Sequence, residues 1–147
     1  MKPTPVPTVG RVIAIAHCFS EVNTIAEVVR RVPRDAVDEV LVIDDGSTDD
    51  SAARAKHAGA TILSTGATPR GVGAALRLGY HYALEHGFEV AVVLAGNGKD
   101  RPEEIPRLLE PIAAGTADFV QGSRYLKRCA TFGAMPISRR IATRVHP

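Results

Sequence analysis

Short apolar runs alternate along this chain with segments whose apolar positions recur every three or four residues. That alternation predicts βαβ units and a mainly parallel sheet. Residues 12–16 (Val-Ile-Ala-Ile-Ala) read as a first buried strand. Val22, Ile25, Val29 and Val32 then follow at helical spacing, and Pro33 stops that helix. A second strand over 40–43 ends abruptly in Asp44, Asp45, Gly46 and Ser47. Thr48 or Asp49 is placed to cap a short helix that closes at Gly59, and 61–63 gives a third strand. A loop over 64–73, with Pro69, Arg70 and three glycines, leads into an amphipathic helix that presents Leu76, Tyr80, Ala83 and Leu84 on one face. That helix closes at Gly87. Residues 90–94 form a fourth strand and run into a polar stretch over 95–100. Pro102 opens a further helix with Ile105, Leu108, Leu109 and Ile112 inward, and 118–121 reads as a fifth strand. From Gly122 onward the periodicity fades.

The strand pattern bears directly on function. In open α/β sheets a ligand lies outside the carboxyl ends of the strands, where the loops gather. Three conspicuously polar loops follow strands here, after Ala16, after Ile43 and after Leu94. One shared site is expected.

Composition narrows the class. At 147 residues the chain has room for one domain with a real core. The formal net charge of +2 is too small to argue for nucleic acid. Its distribution says more: no acidic residue follows Asp118, whereas Arg124, Lys127, Arg128, Arg139, Arg140 and Arg144 do. Mixed with Leu126, Phe132, Met135 and Ile137, that basic tail is either a solvated face or a contact for phosphate or lipid headgroups. Two cysteines, Cys18 and Cys129, make neither a disulfide framework nor a metal cluster, and a reducing compartment fits best. The proline-rich lead-in over 1–10 lacks the apolar stretch of a signal peptide, and no apolar run reaches the roughly 20 residues that span a bilayer. Membrane contact is therefore expected only from the side, on a cytoplasmic protein.

Asp44 and Asp45 directly follow a strand, and burying adjacent carboxylates is costly unless something donates to them. The donors are either a ligand's base N–H and ribose hydroxyls or the backbone amides of an Asp-Gly turn. Residues 69–73 (Pro-Arg-Gly-Val-Gly) place glycines before a helix, an arrangement that lets backbone amides meet a phosphate with Arg70 as counter-charge. Gly-rich connections also arise for purely geometric reasons. Asn97, Lys99, Asp100 and Arg101 crowd the end of the fourth strand, either to orient a diphosphate or as a hydrophilic loop. Glu103 and Glu104 complement the dipole of the next helix. His17 is the one histidine near the expected site. A dinucleotide oxidoreductase is disfavoured, because the first strand leads into His17, Cys18, Phe19 and Ser20 rather than a glycine loop.

Taken in order, Ala-His-Cys-Phe-Ser-Glu-Val-Asn-Thr-Ile (16–25), Val-Ile-Asp-Asp-Gly-Ser-Thr-Asp (42–49), Arg-Gly-Val-Gly-Ala-Ala-Leu (70–76), Pro-Glu-Glu-Ile-Pro-Arg-Leu-Leu (102–109) and Asp-Phe-Val-Gln-Gly-Ser-Arg-Tyr (118–125) resemble the family-two glycosyltransferases, and among them the dolichyl-phosphate mannose synthase-like group. The resemblance implies an α/β GT-A fold with a mainly parallel sheet, truncated after the fifth strand, over 11–125. Residues 126–147 would then begin an acceptor-side segment. It implies transfer of a sugar from a nucleotide-diphosphate sugar to a polyprenyl-phosphate acceptor. Glu21, Asp44 and Asp45 are expected to hold the nucleoside. Arg70 and Gly71 match the family's Asn-Arg-Gly-Lys-Gly loop, with Val72 standing where the lysine would be. Arg124, in Gly122-Ser123-Arg124, faces the cleft, and Asn97 and Lys99 complete the expected catalytic set.

The departure lies at Ala95 and Asn97, where the family has an Asp-x-Asp motif that binds Mg²⁺ or Mn²⁺. Three readings stay open: Asn97 with Asp100 holds a weak cation, Lys99 and Arg101 supply the positive charge themselves, or transfer is lost. In the last case the chain would be a binding-only module for a nucleotide sugar.

Overall fold

The computed structural model describes residues 9–123. Four strands, β1 (Val12–Cys18), β2 (Glu39–Asp44), β3 (Thr61–Ser64) and β4 (Val90–Ala95), form one sheet in the order β3-β2-β1-β4. All pairings are parallel. β1 is central and buried on both faces, which explains its unbroken apolar run. The first three strands step outward in one direction, and the chain then crosses back to lay β4 on the other side of β1. That reversal is a topological switch point, and the carboxyl ends of β1 and β4 open onto it.

Helices α1 (Ile25–Arg31), α2 (Ser51–His57), α3 (Val72–Glu85) and α4 (Ile105–Ala113) connect or follow the strands, and a 3₁₀ turn over Pro102–Glu104 introduces α4. One apolar layer gathers Val29, Val32 and Ala55 with Ile105 and Leu109 against Ala14, Ala16, Val40, Val42, Val92 and Leu94. The other packs α3 on Ile13, Ile15, Leu41 and Ile43. Each fully buried Ile or Leu contributes roughly 1.5–3 kcal/mol over its exposed state.

Two sequence-based expectations change here. The buried face of α3 is Ala75, Gly79 and Ala83, whereas Tyr80 and Leu84 are 43% and 75% exposed. Large side chains on the sheet fill the gap from below, so small residues face them directly while Leu76 packs at the margin. A Cβ at Gly79 would stand 2.7 Å from Ile15 Cγ2. Residues 118–121, expected as a fifth strand, form none among the described residues, and Phe119 is 80% exposed. A strand exists only with a ladder partner, and nothing described pairs with that stretch. The lead-in over 1–8 and the basic tail, Arg124 included, lie outside the described residues. No helix among the described residues is long and apolar enough to cross a membrane.

Candidate functional site

Register brings the candidate residues to one edge. Cys18 lies opposite Asp44, Asp44 opposite Ser64, and His17 opposite Ala95. The loops after all four strands therefore rise from a common carboxyl end.

Asp45 is buried at this edge and fully committed to the protein. Its Oδ1 accepts hydrogen bonds from Thr65 Oγ1 at 2.5 Å and from the Arg70 amide at 2.9 Å, and its Oδ2 accepts from the Gly71 amide at 2.8 Å. Its own amide donates to the Cys18 carbonyl at 2.9 Å. Burial pushes the carboxyl pKa upward, but the hydrogen bonds from Thr65, Arg70 and Gly71, with His17 nearby, outweigh it and hold the pKa below the ordinary value. Gly71, at φ +89°, immediately precedes α3, so the Asp45 carboxylate sits at that helix N-terminus, where the dipole favours an anion. The backbone amides expected to cradle a phosphate are thus held by Asp45. Local sequence does not reveal this, because the two amide donors and their acceptor lie 25 and 26 residues apart. Gly46 makes the turn possible: its φ is +78°, and a Cβ there would meet Pro69 N at 3.1 Å.

Asp44 behaves differently. The residue is 8% exposed, and its Oδ1 is buried with no hydrogen-bond partner among the described residues. An unpartnered buried carboxylate oxygen costs on the order of several kcal/mol unless a donor reaches it. Cys18 beside it has its thiol pKa raised to about 11, chiefly by burial, with the Asp44 charge adding to it. That thiol is a packed side chain and no nucleophile.

The loop after β1 is strapped to its neighbours. Ser20 adopts φ +53°, an uncommon conformation for a side-chain-bearing residue, and its amide donates to Ser47 Oγ at 2.9 Å. Glu21 is half-buried, and its backbone carbonyl accepts from the Thr24 and Ile25 amides at the start of α1. Thr24 Oγ1 lies 3.3 Å from Glu21 Oε2 and donates to the Gly96 carbonyl at 2.8 Å. Gly96 itself closes on β1: its amide donates to the His17 carbonyl at 2.9 Å, and a Cβ would stand 2.7 Å from that oxygen. Thr24, Thr65 and Gly96 were not singled out from the sequence. The position of Thr65 just past an edge strand, one residue beyond the Asp44–Ser64 pair and so level with Asp45, is the signal that could have found it.

The loop over 95–101 is where the cation implied by the family would be held. Ala95 offers a methyl group. Asn97 Oδ1 accepts from the Lys99 amide at 3.1 Å, and Asp100 Oδ2 accepts from the Ala95 amide at 2.8 Å, closing the loop on itself. Lys99 and Arg101 flank Asp100 with positive charge, and Arg101 pairs with Glu104 at 3.5 Å. A divalent cation here would meet one carboxylate already in use, one neutral amide oxygen and two cationic neighbours. This donor set does not fit Mg²⁺ or Mn²⁺. Among the described residues no group of three His, Cys, Asp or Glu side chains is placed to hold a metal. Glu103 turns away from this edge to Arg31 on α1, at 2.6 Å.

Two surface hollows lie elsewhere. One of about 410 Å³, lined in part by Arg11, Arg34 and Glu89, lies at the amino ends of the strands; one of about 370 Å³, lined in part by Arg30, Arg54 and His57, lies between α1 and α2. Neither includes the carboxyl edge, where the unpartnered Asp44 oxygen is the stronger sign of a ligand.

Comparison with known proteins bears on the family and the fold. The sequence profile of glycosyl transferase family 2 matches residues 14–146. An undecaprenyl-phosphate mannosyltransferase of Micrococcus luteus is 38% identical over 120 residues, covering 78% of this chain and 48% of that protein. A polyprenol monophosphomannose synthase of Mycolicibacterium smegmatis is 32% identical over 130 residues, covering 84% and 49%. Among solved structures, glucosyl-3-phosphoglycerate synthase of Mycobacterium tuberculosis, in complex with Mn²⁺, UDP-glucose and phosphoglyceric acid, superposes with a TM-score of 0.59 at 27% identity, covering 72% of this chain and 40% of that one. The chain spans about half the length of the curated relatives it matches.

Proposed function

The chain belongs to glycosyl transferase family 2 and carries the parallel α/β sheet of the GT-A fold; from that premise we propose that its carboxyl edge binds a nucleotide-diphosphate sugar and donates the sugar to a polyprenyl-phosphate acceptor. The observation that carries the donor reading is the buried Asp44 Oδ1 without a partner at the carboxyl edge. A nucleotide supplies the missing donor, as a base N–H or a ribose hydroxyl. Asp44 and Glu21 hold the nucleoside in this reading. Asp45 acts through its neighbours, fixing Arg70 and Gly71 where Arg70 can face phosphate. Asn97 shapes the loop that presents Lys99 at the end of β4, and Arg124, outside the described residues, faces the acceptor phosphate or the departing diphosphate.

In the reaction an acceptor phosphate oxygen forms the new bond to the anomeric carbon while the bond from that carbon to the nucleoside diphosphate breaks. Phosphate is already ionised at neutral pH, so the acceptor needs no general base. The protein's task is to position the two anions and to stabilise charge on the leaving group. The lipid acceptor is supported by the relatives' names, an undecaprenyl-phosphate mannosyltransferase and a polyprenol monophosphomannose synthase. The basic run after Asp118 supports approach to an anionic membrane surface from the cytoplasmic side.

A second reading, a module that holds a nucleotide sugar without turning it over, is favoured by Ala95 and Asn97. One experiment separates them. The chain is incubated with UDP- or GDP-linked radiolabelled sugars and polyprenyl phosphate, and nucleotide binding is measured in parallel. Binding with labelled lipid product supports transfer; binding without product supports the module; no binding overturns the donor site itself.

A further inference from the structure

The hydrogen bonds of the 95–101 loop lead past the donor reading, on which this inference rests. A nucleoside diphosphate carries its charge toward the switch point between β1 and β4, and something must neutralise it. Three of the loop's acceptor oxygens, the Gly96 carbonyl, Asn97 Oδ1 and Asp100 Oδ2, are already engaged within the protein. The Ala95 amide is held by Asp100, the Lys99 amide by Asn97, the Gly96 amide by the His17 carbonyl and the Gly96 carbonyl by Thr24. Each bond ties the loop to itself or to the β1 side, so the loop keeps its shape without a metal to organise it.

Fixed positive charge flanks the same edge. Arg70 is anchored through its backbone on Asp45, after β2, and its exposed guanidinium has no ion pair among the described residues. Lys99 stands beyond the end of β4. β2 and β4 lie on either side of β1, so the two flanks are two strand spacings apart, about 10 Å. Long Arg and Lys side chains reaching in from the two flanks can meet a diphosphate lying between them. We infer that this chain binds the diphosphate of its nucleotide without a divalent cation, with Arg70 and Lys99 supplying the counter-charge from the two flanks.

Titration calorimetry of the full chain with UDP and with GDP, each in EDTA and in millimolar Mn²⁺, tests this. For whichever nucleotide binds, the dissociation constant is expected to agree within about twofold between the two conditions, against the tenfold that 1.4 kcal/mol of cation stabilisation would produce. Arg70→Ala is expected to weaken binding about tenfold in both conditions, as loss of a charge-assisted contact would. The double variant Ala95→Asp with Asn97→Asp adds two carboxylates at alternate positions and is expected to bind at least tenfold more tightly with Mn²⁺ than with EDTA.

Wild-type binding that tightens tenfold or more with Mn²⁺ overturns the inference and leaves the donor site standing. A double variant that stays indifferent to Mn²⁺ overturns the assignment of cation independence to positions 95 and 97. Absence of nucleotide binding by the wild type in both conditions overturns the donor reading, and the inference falls with it.

Discussion

Asp44 and Asp45 are adjacent in sequence and alike in chemistry, yet the fold asks opposite things of them. Asp45 pins the loop before α3 through Thr65, Arg70 and Gly71, so its loss is a structural event. In Asp45→Asn the amide nitrogen faces the Gly71 N–H, leaving a buried donor without an acceptor. Stability should fall by about 2–4 kcal/mol, read by urea denaturation. Because its folded pKa is lowered, Asp45 contributes stability that is fully present above the ordinary aspartate range and is lost as pH falls through the folded value. The wild type should therefore lose stability on acidification below that range, and Asp45→Asn should lose less over the same interval. Asp44 Oδ1 carries a burial cost that no group among the described residues offsets. Asp44→Asn is expected to keep or raise the melting temperature while weakening nucleotide binding at least tenfold, the pattern of a residue retained for a ligand. A drop in stability with unchanged binding would assign Asp44 to the fold instead.

At the scale of elements, α3 shows what sequence periodicity can and cannot locate. The helix was legible from the loop expected to end at Gly73, from Gly87 and from its apolar spacing, and the four strands from runs of Val, Ile and Leu. Its buried face was legible only in part. Apolar spacing favours Leu76, Tyr80, Ala83 and Leu84; Ala83 is buried and Leu76 packs at the margin, but Tyr80 and Leu84 are exposed, and Ile13, Ile15, Leu41 and Ile43 rise from the sheet to meet Ala75 and Gly79 instead. Propensity alone would make Gly79→Ala stabilising by about 1 kcal/mol. Contact with Ile15 Cγ2 at 2.7 Å reverses the sign, and a loss of about 1–3 kcal/mol is expected by thermal denaturation. The site was legible in the same partial way. Which loops converge follows from strand order, but the strap from Asp45 to Arg70 and Gly71 and the one from Thr24 to Gly96 depend on tertiary approach, which no local pattern encodes. The expected fifth strand failed for a related reason: residues 118–121 have strand composition, but β character becomes a strand only against a neighbour.

For the molecule as a whole, the fold and the proposed ligand share one energetic account. The described sheet has four strands, with a core on each face and a carboxyl edge whose loops are tied to one another by side-chain hydrogen bonds. A ligand that binds this edge holds all four strand ends together, and unfolding must first release it. At a nucleotide concentration one hundred times its dissociation constant, linkage adds about 2.7 kcal/mol to stability. For a chain of this length that corresponds to a rise in melting temperature of roughly 5–11 °C. The cation-free account requires the rise to be the same in EDTA as in Mn²⁺. The Asp44 account requires it to be much smaller in Asp44→Asn at equal nucleotide concentration, whatever that variant's own melting temperature. A thermal shift seen only with Mn²⁺ would mean that the 95–101 loop opens to make a cation site. A shift that survives Asp44→Asn intact would mean that the ligand does not reach the buried carboxylate and that the cost of its unpartnered oxygen is met in some other way.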